Sequence, residues 1–100
     1  MDVKFNYAEV ENYCTELYNI LDELRVVDED FRSHVTKIKG GSIWAGHAAD
    51  GFVKKCEKTV RLCNNMEDSL KNAILFIIAC SENYEHSESA IMNALKDKLV

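Results

Sequence analysis

Apolar side chains in the first third of the chain fall at Val10, Cys14, Leu17, Leu21, Leu24, Phe31, Val35 and Ile38, in steps of three and four broken only at Asp28. That period belongs to one face of an α-helix and has a heptad character. Its start is encoded locally. Asn6 followed by Glu9 forms a capping-box pattern, and Phe5 and Val10 stand where a hydrophobic staple closes over the first turn. Its end is encoded as well, because Lys37 and Lys39 suit the negative pole of a helix and Gly40-Gly41 permits a left-handed exit. The expected first helix covers about 6–39, with a turn over about 40–45.

A second series follows the turn: Ala49, Phe52, Cys56, Thr59, Cys63, Met66, Leu70, Ala73, Ile77, Cys80, Tyr84, Ser87, Ile91 and Ala94. The steps alternate three and four throughout, which predicts one long helix over about 46–97, ending near Lys96 and Lys98. This helix overhangs the first, so residues after about 81 are expected to form a mobile tail that orders on a partner. Residues 35–44 also alternate around Gly40-Gly41 as a β-hairpin would, but an isolated two-stranded hairpin is marginal in water, and two long helices satisfy their own backbones.

Two helices joined by a short loop lie antiparallel, so residues 1–100 read as a single all-α domain, a helix-turn-helix hairpin. Each helix of a pair shields only one stripe of the other. Yet the second helix carries Val53, Val60, Ile74 and Ile78 beside its first series, with Phe76 inside the apolar run 74–78, and the first helix adds Tyr18 and Ile20. Helices apolar beyond one face are buried by neighbours. The expectation is a dimer closing a four-helix bundle, with Val53, Val60, Ile74, Phe76, Ile78, Tyr18 and Ile20 at its interface.

The 100 residues contain no proline, which leaves the helices uninterrupted, and 12 Lys+Arg against 17 Asp+Glu give a net charge of −5. An acidic chain without a basic cluster is a poor match for nucleic acid or anionic lipid, so a protein partner is the expectation. Asp2 and the absence of an apolar run behind it speak against a secretory signal peptide. Cys14, Cys56, Cys63 and Cys80 show no close C-x-x-C spacing, and His34, His47 and His86 are scattered, so no metal site, cofactor or nucleophilic centre is expected. No phosphate-binding glycine pattern surrounds Gly40-Gly41. The reading is of a non-enzymatic protein without a small-molecule substrate.

At the turn stands the one tryptophan, in Ser42-x-Trp44-x-Gly46-x-Ala48-Ala49-x-x-Phe52. A large ring on a turn either plugs the end of a bundle or awaits a partner. Near the other end, Tyr84, Glu88 and Ile91 share one face of the expected helix. A chain of this length, with Trp-x-Gly between two amphipathic helices and Tyr84-x-x-x-Glu88 behind them, resembles the WXG-motif (WXG-100, ESAT-6-like) proteins of type VII secretion.

The resemblance implies a small substrate or targeting partner, exported as a folded homo- or heterodimer. Its signal would be the Trp44-Ala45-Gly46 turn of one chain beside Tyr84, Glu88 and Ile91 of its mate. It also implies a cytoplasmic stage followed by release or display at the cell surface, with a secretion ATPase as reader. The mate would be a second copy, a related helical protein or the helical N-terminal region of a larger effector. A cytosolic helical adaptor without an export role accounts for the heptads equally well, but not for the paired Trp44 and Tyr84 features.

Overall fold

The computed structural model describes residues 5–82 and 89–100. Among them the chain is all-helical, with α1 over Tyr7–Lys39, α2 over His47–Ser81 and α3 over Ala90–Leu99. The chain divides into two compact units. One combines the residues up to Leu21 with those from Ser69 onward, and is termed here the three-helix unit. The other, Asp22–Asp68, holds the second half of α1, the connection and the first half of α2, and is termed the turn unit.

The start of α1 follows its local code. Asn6 Oδ1 accepts the Glu9 amide at 3.2 Å, which satisfies one of the helix's orphan donors, and the Asn6 carbonyl accepts the Val10 amide at 3.0 Å as the first regular helical bond. At the other end the Gly41 amide donates to the Ile38 carbonyl at 3.0 Å, with Gly41 at φ 81. Gly41 therefore acts as a left-handed stop, and Lys37 and Lys39 occupy the last turn. The inward face of α1 is the expected one: Cys14, Leu21 and Val35 are buried, with Val10, Leu17, Leu24, Phe31 and Ile38 half-buried beside them.

The second half of the chain departs from expectation in two ways. α2 stops at Ser81, and a separate helix, α3, starts at Ala90, so no single helix runs over about 46–97. Ser81 Oγ donates to the Ile78 carbonyl at 2.6 Å, a local bond that competes with helix continuation. From Ser81 to Ser89 the sequence has no aliphatic side chain that could anchor a further turn. Ser89 then caps α3, its Oγ accepting the Met92 amide at 3.3 Å. The residues from 90 on are not a loose tail: Met92, Leu95 and Leu99 are buried. The expected seam through Ile91 and Ala94 is one residue out of phase, and both are exposed.

The second departure is the phase of α2. Its buried apolar positions are Ala49, Val53, Cys56, Ile74 and Ile78, while Phe52, Met66 and Phe76 are exposed. Of the set assigned to an outside mate, Val53, Ile74 and Ile78 thus face inward. In the three-helix unit the reason is α3, which brings Met92, Leu95 and Leu99 into one cluster with Cys14, Leu21, Ile74 and Ile78. Three helices meeting along one line bury these side chains where a pair would leave them half wet. Tyr18 packs against this cluster, with Lys98 Nζ 5.1 Å from its ring centroid.

The turn unit has a much smaller core of Val35, Val53 and Cys56, flanked by Phe31 and Ile38. Polar contacts tie its two helices together: Arg32 Nη2 donates to Asn64 Oδ1, and Lys39 Nζ lies 3.5 Å from Glu57 Oε1. Both partners lie further along α2 than a turn centred near residue 42 would set them. Asp28, the break in the apolar series of α1, is buried, and its Oδ2 accepts from Arg32 Nε at 2.9 Å within the same helix.

Candidate recognition surfaces

The turn unit presents Trp44 on a short, well-defined connection. Gly46, at φ 112, begins α2 by accepting the Asp50 amide at 3.0 Å. A Cβ at Gly46 would meet nothing within 4 Å, so what requires glycine is the left-handed backbone alone. The Trp-x-Gly spacing has a local cause here: glycine makes the turn into α2, and the residue two before it is set over the helix's first turns. There the Trp44 ring lies 5.5 Å from that of Phe52, centroid to centroid, with planes at 46°.

Trp44 is not sealed by this contact. It remains 42% exposed, Phe52 is 44% exposed, and Ile43 beside them is more open still. Under the indole a cavity of about 250 Å³ is lined by Ile38, Ala49 and Val53 together with Lys39, Asp50, Lys54 and Glu57. Apolar walls with both signs of charge around them suit a peptide or helix end, not a small ionic substrate.

A second surface lies on the three-helix unit. Phe5, Val10, Tyr13 and Leu17 from the start of the chain and Phe76, Ile77 and Cys80 from α2 enclose an open groove of about 400 Å³. Tyr13 and Phe76 are 62% and 69% exposed, and Ile20, one turn beyond Leu17 on α1, is 53% exposed. The sequence marks Phe5 and Val10 as a staple, Leu17, Ile77 and Cys80 as seam positions and Phe76 as an interface residue, but not their meeting in one groove. A further signal is that Tyr13 and Ile20 are seven apart beside the core stripe.

The remaining expected site residues fall as follows. Tyr84 and Glu88 lie outside the described residues. Ile91 is on the open side of α3. Of the expected interface set, Ile20 and Phe76 are exposed and Val60 is half-buried, whereas Val53, Ile74 and Ile78 are buried within their own chain. These last three are corrected from interface to core. Tyr18 is half-buried under Lys98 and is likewise engaged at home.

Among the described residues, no group of three or more His, Cys, Asp or Glu side chains could hold a metal ion, and no helix is long and apolar enough to cross a membrane. Cys14, Cys56, Cys63 and Cys80 are free thiols. Burial, and then the charge of Glu11, push the Cys14 thiol above its ordinary range, the opposite of what a nucleophile needs. No family model, curated protein or solved structure matches the chain.

Proposed function

We propose that this chain is a small non-enzymatic substrate or targeting partner of a type VII-like secretion machine. In this reading it travels as a folded homo- or heterodimer, closed into a four-helix bundle, from the cytoplasm to the outside or the cell surface. A secretion ATPase reads the Trp44-Ala45-Gly46 turn together with Tyr84, Glu88 and Ile91. The observation that carries the proposal is the state of Trp44: a half-exposed indole, braced by Phe52, on a turn fixed by Gly41 and Gly46. An exposed aromatic held in one place costs little entropy on binding and makes a strong anchor.

A competing reading, a helical adaptor that stays in the cytosol, draws on α3. With Met92, Leu95 and Leu99 against the chain's own core, the three-helix unit does not depend on a mate to cover Ile74 and Ile78.

Export in the native host separates the two. The chain is expected in the medium only when the secretion ATPase is present. Trp44→Ala should lower export by at least about tenfold, as loss of an aromatic anchor does, with helicity by circular dichroism unchanged. Tyr84→Ala should do the same. Normal export of both variants would overturn the proposal.

A further inference from the structure

The groove of the three-helix unit is apolar along its floor and acidic along one edge. Glu9 and Glu16 are both exposed and are separated by one heptad, as are Tyr13 and Ile20. On a helix of 3.6 residues per turn they form a row directly outside the Tyr13–Ile20 stripe. The segment of α1 from Tyr7 to Leu21 contains no Lys or Arg at all.

The unit's described lysines lie elsewhere. Lys96 Nζ is 3.0 Å from Glu82 Oε1, and Lys98 sits over Tyr18 on another face of α1. Lys71 lies about 140° around α2 from Phe76. The groove is therefore an apolar strip with negative charge beside it and, among the described residues of this unit, no cation placed to answer it.

The geometry points to a specific occupant: a basic amphipathic helix from a different protein, with an aliphatic stripe that fills the groove and Lys or Arg beside it that meet Glu9 and Glu16. From Val10 to Ile20 the strip is about 15 Å long, which matches two to three turns of a partner helix. A second copy is the poorer occupant. A two-fold contact through this face sets Glu9 and Glu16 of each chain around the same apolar strip, with like charges opposed. Anionic lipid is opposed by the same two carboxylates. The inference narrows the mate within the proposed pair to a heterologous one. It can fail in vitro while export still depends on Trp44, so the two tests are distinguishable.

The test uses the full chain and two synthetic helical peptides with one aliphatic stripe, flanked by Lys in the first and by Glu in the second. Titration calorimetry at low and at physiological salt should show the Lys peptide binding at least about tenfold more tightly, with the gap narrowing as salt screens the charges. Phe76→Asp, at an exposed position, should weaken binding by at least about tenfold, whereas Leu62→Asp, exposed on the turn unit, should leave it unchanged. Glu9→Lys with Glu16→Lys should reverse the preference between the peptides. Equal affinity for the two peptides, or insensitivity to Phe76→Asp, overturns the inference. So does sedimentation showing a dimer of the purified chain that Phe76→Asp converts to a monomer, since a second copy then occupies the groove.

Discussion

The three-helix unit and the turn unit are made from the same two long helices, yet they solve the burial problem differently. In the first, α3 joins α1 and α2, and seven side chains from all three helices form one buried cluster. In the second, two helix segments face each other alone, and the cluster shrinks to Val35, Val53 and Cys56. The turn unit also leaves Val26, Val27, Leu62 and Met66 exposed along with its aromatic turn. A helix pair can cover only one stripe on each member, and a third helix changes that count. The difference indicates where uncommitted apolar surface collects: over the turn unit, and on the flank of the three-helix unit that α3 does not reach.

The sharpest way to break this comparison is to delete comparable side chains from the two cores. Ile74 is fully buried among three helices, and Ile74→Ala should cost about 3–4 kcal/mol, combining lost transfer energy with a cavity that three packed helices cannot collapse. Val53, 8% exposed between two helices, can be compensated by small shifts, and Val53→Ala should cost about 1–2 kcal/mol. Urea unfolding followed by far-ultraviolet circular dichroism measures both. Equal losses would show that the third helix adds no packing advantage.

How much of this was legible in the sequence depends on what wrote each signal. The start and stop of α1 were legible because Asn6, Glu9, Gly40 and Gly41 act on neighbouring backbone groups, and short-range chemistry does not depend on the rest of the fold. The phase of α2 was not. Two adjacent apolar stripes, one through Phe52, Met66 and Ile77 and the other through Val53, Ile74 and Ile78, satisfy the same helical period, and partners distant in sequence select between them: α3 at Ile74 and Ile78, and Phe31, Val35 and Ile38 at Val53.

The break after Ser81 was hidden for a related reason. Steps of three and four persist across it in the sequence, although α3 restarts with its own phase at Met92, Leu95 and Leu99. Ser89 before Ala90 was the available local mark. At the candidate site, Trp44 and Gly46 were readable as a motif, whereas the groove of Tyr13, Phe76 and Cys80 needs side chains from both ends of the sequence. No local pattern encodes that meeting.

A smaller effect, of opposite sign, tests why the turn unit is thin. Cys14, Leu21, Asp28 and Val35 form one heptad row of buried positions on α1, and Asp28 is its polar member. Its Oδ2 is held by Arg32, but its buried Oδ1 has no hydrogen-bond partner among the described residues. Replacing a buried, partly satisfied carboxylate with an aliphatic side chain removes a desolvation cost, and Arg32 keeps its bond to Asn64. Asp28→Leu should therefore stabilise the chain by about 1–2 kcal/mol, read as a rise in the urea midpoint at unchanged slope. A loss of stability would mean that the Asp28–Arg32 pair, and not the apolar contacts, organises the turn unit.

The smallest expected effect falls on the element that makes the two units differ. α3 has ten residues, too few to hold a helix alone in water, so its helicity is coupled to the seating of Met92, Leu95 and Leu99. Ser89 contributes the only side-chain cap described for it. Ser89→Ala removes the acceptor of the Met92 amide and should cost about 1 kcal/mol, whereas Ser89→Asp keeps an acceptor at the positive end of the helix and should cost nothing. Amide hydrogen exchange distinguishes a local from a global origin. If α3 docks as an independent element, the Ala variant should lose protection in residues 92–99 first, while the amides around Val53 and Cys56 in the turn unit keep theirs. Parallel loss in both regions would show that docking of α3 and folding of the turn unit are a single cooperative event.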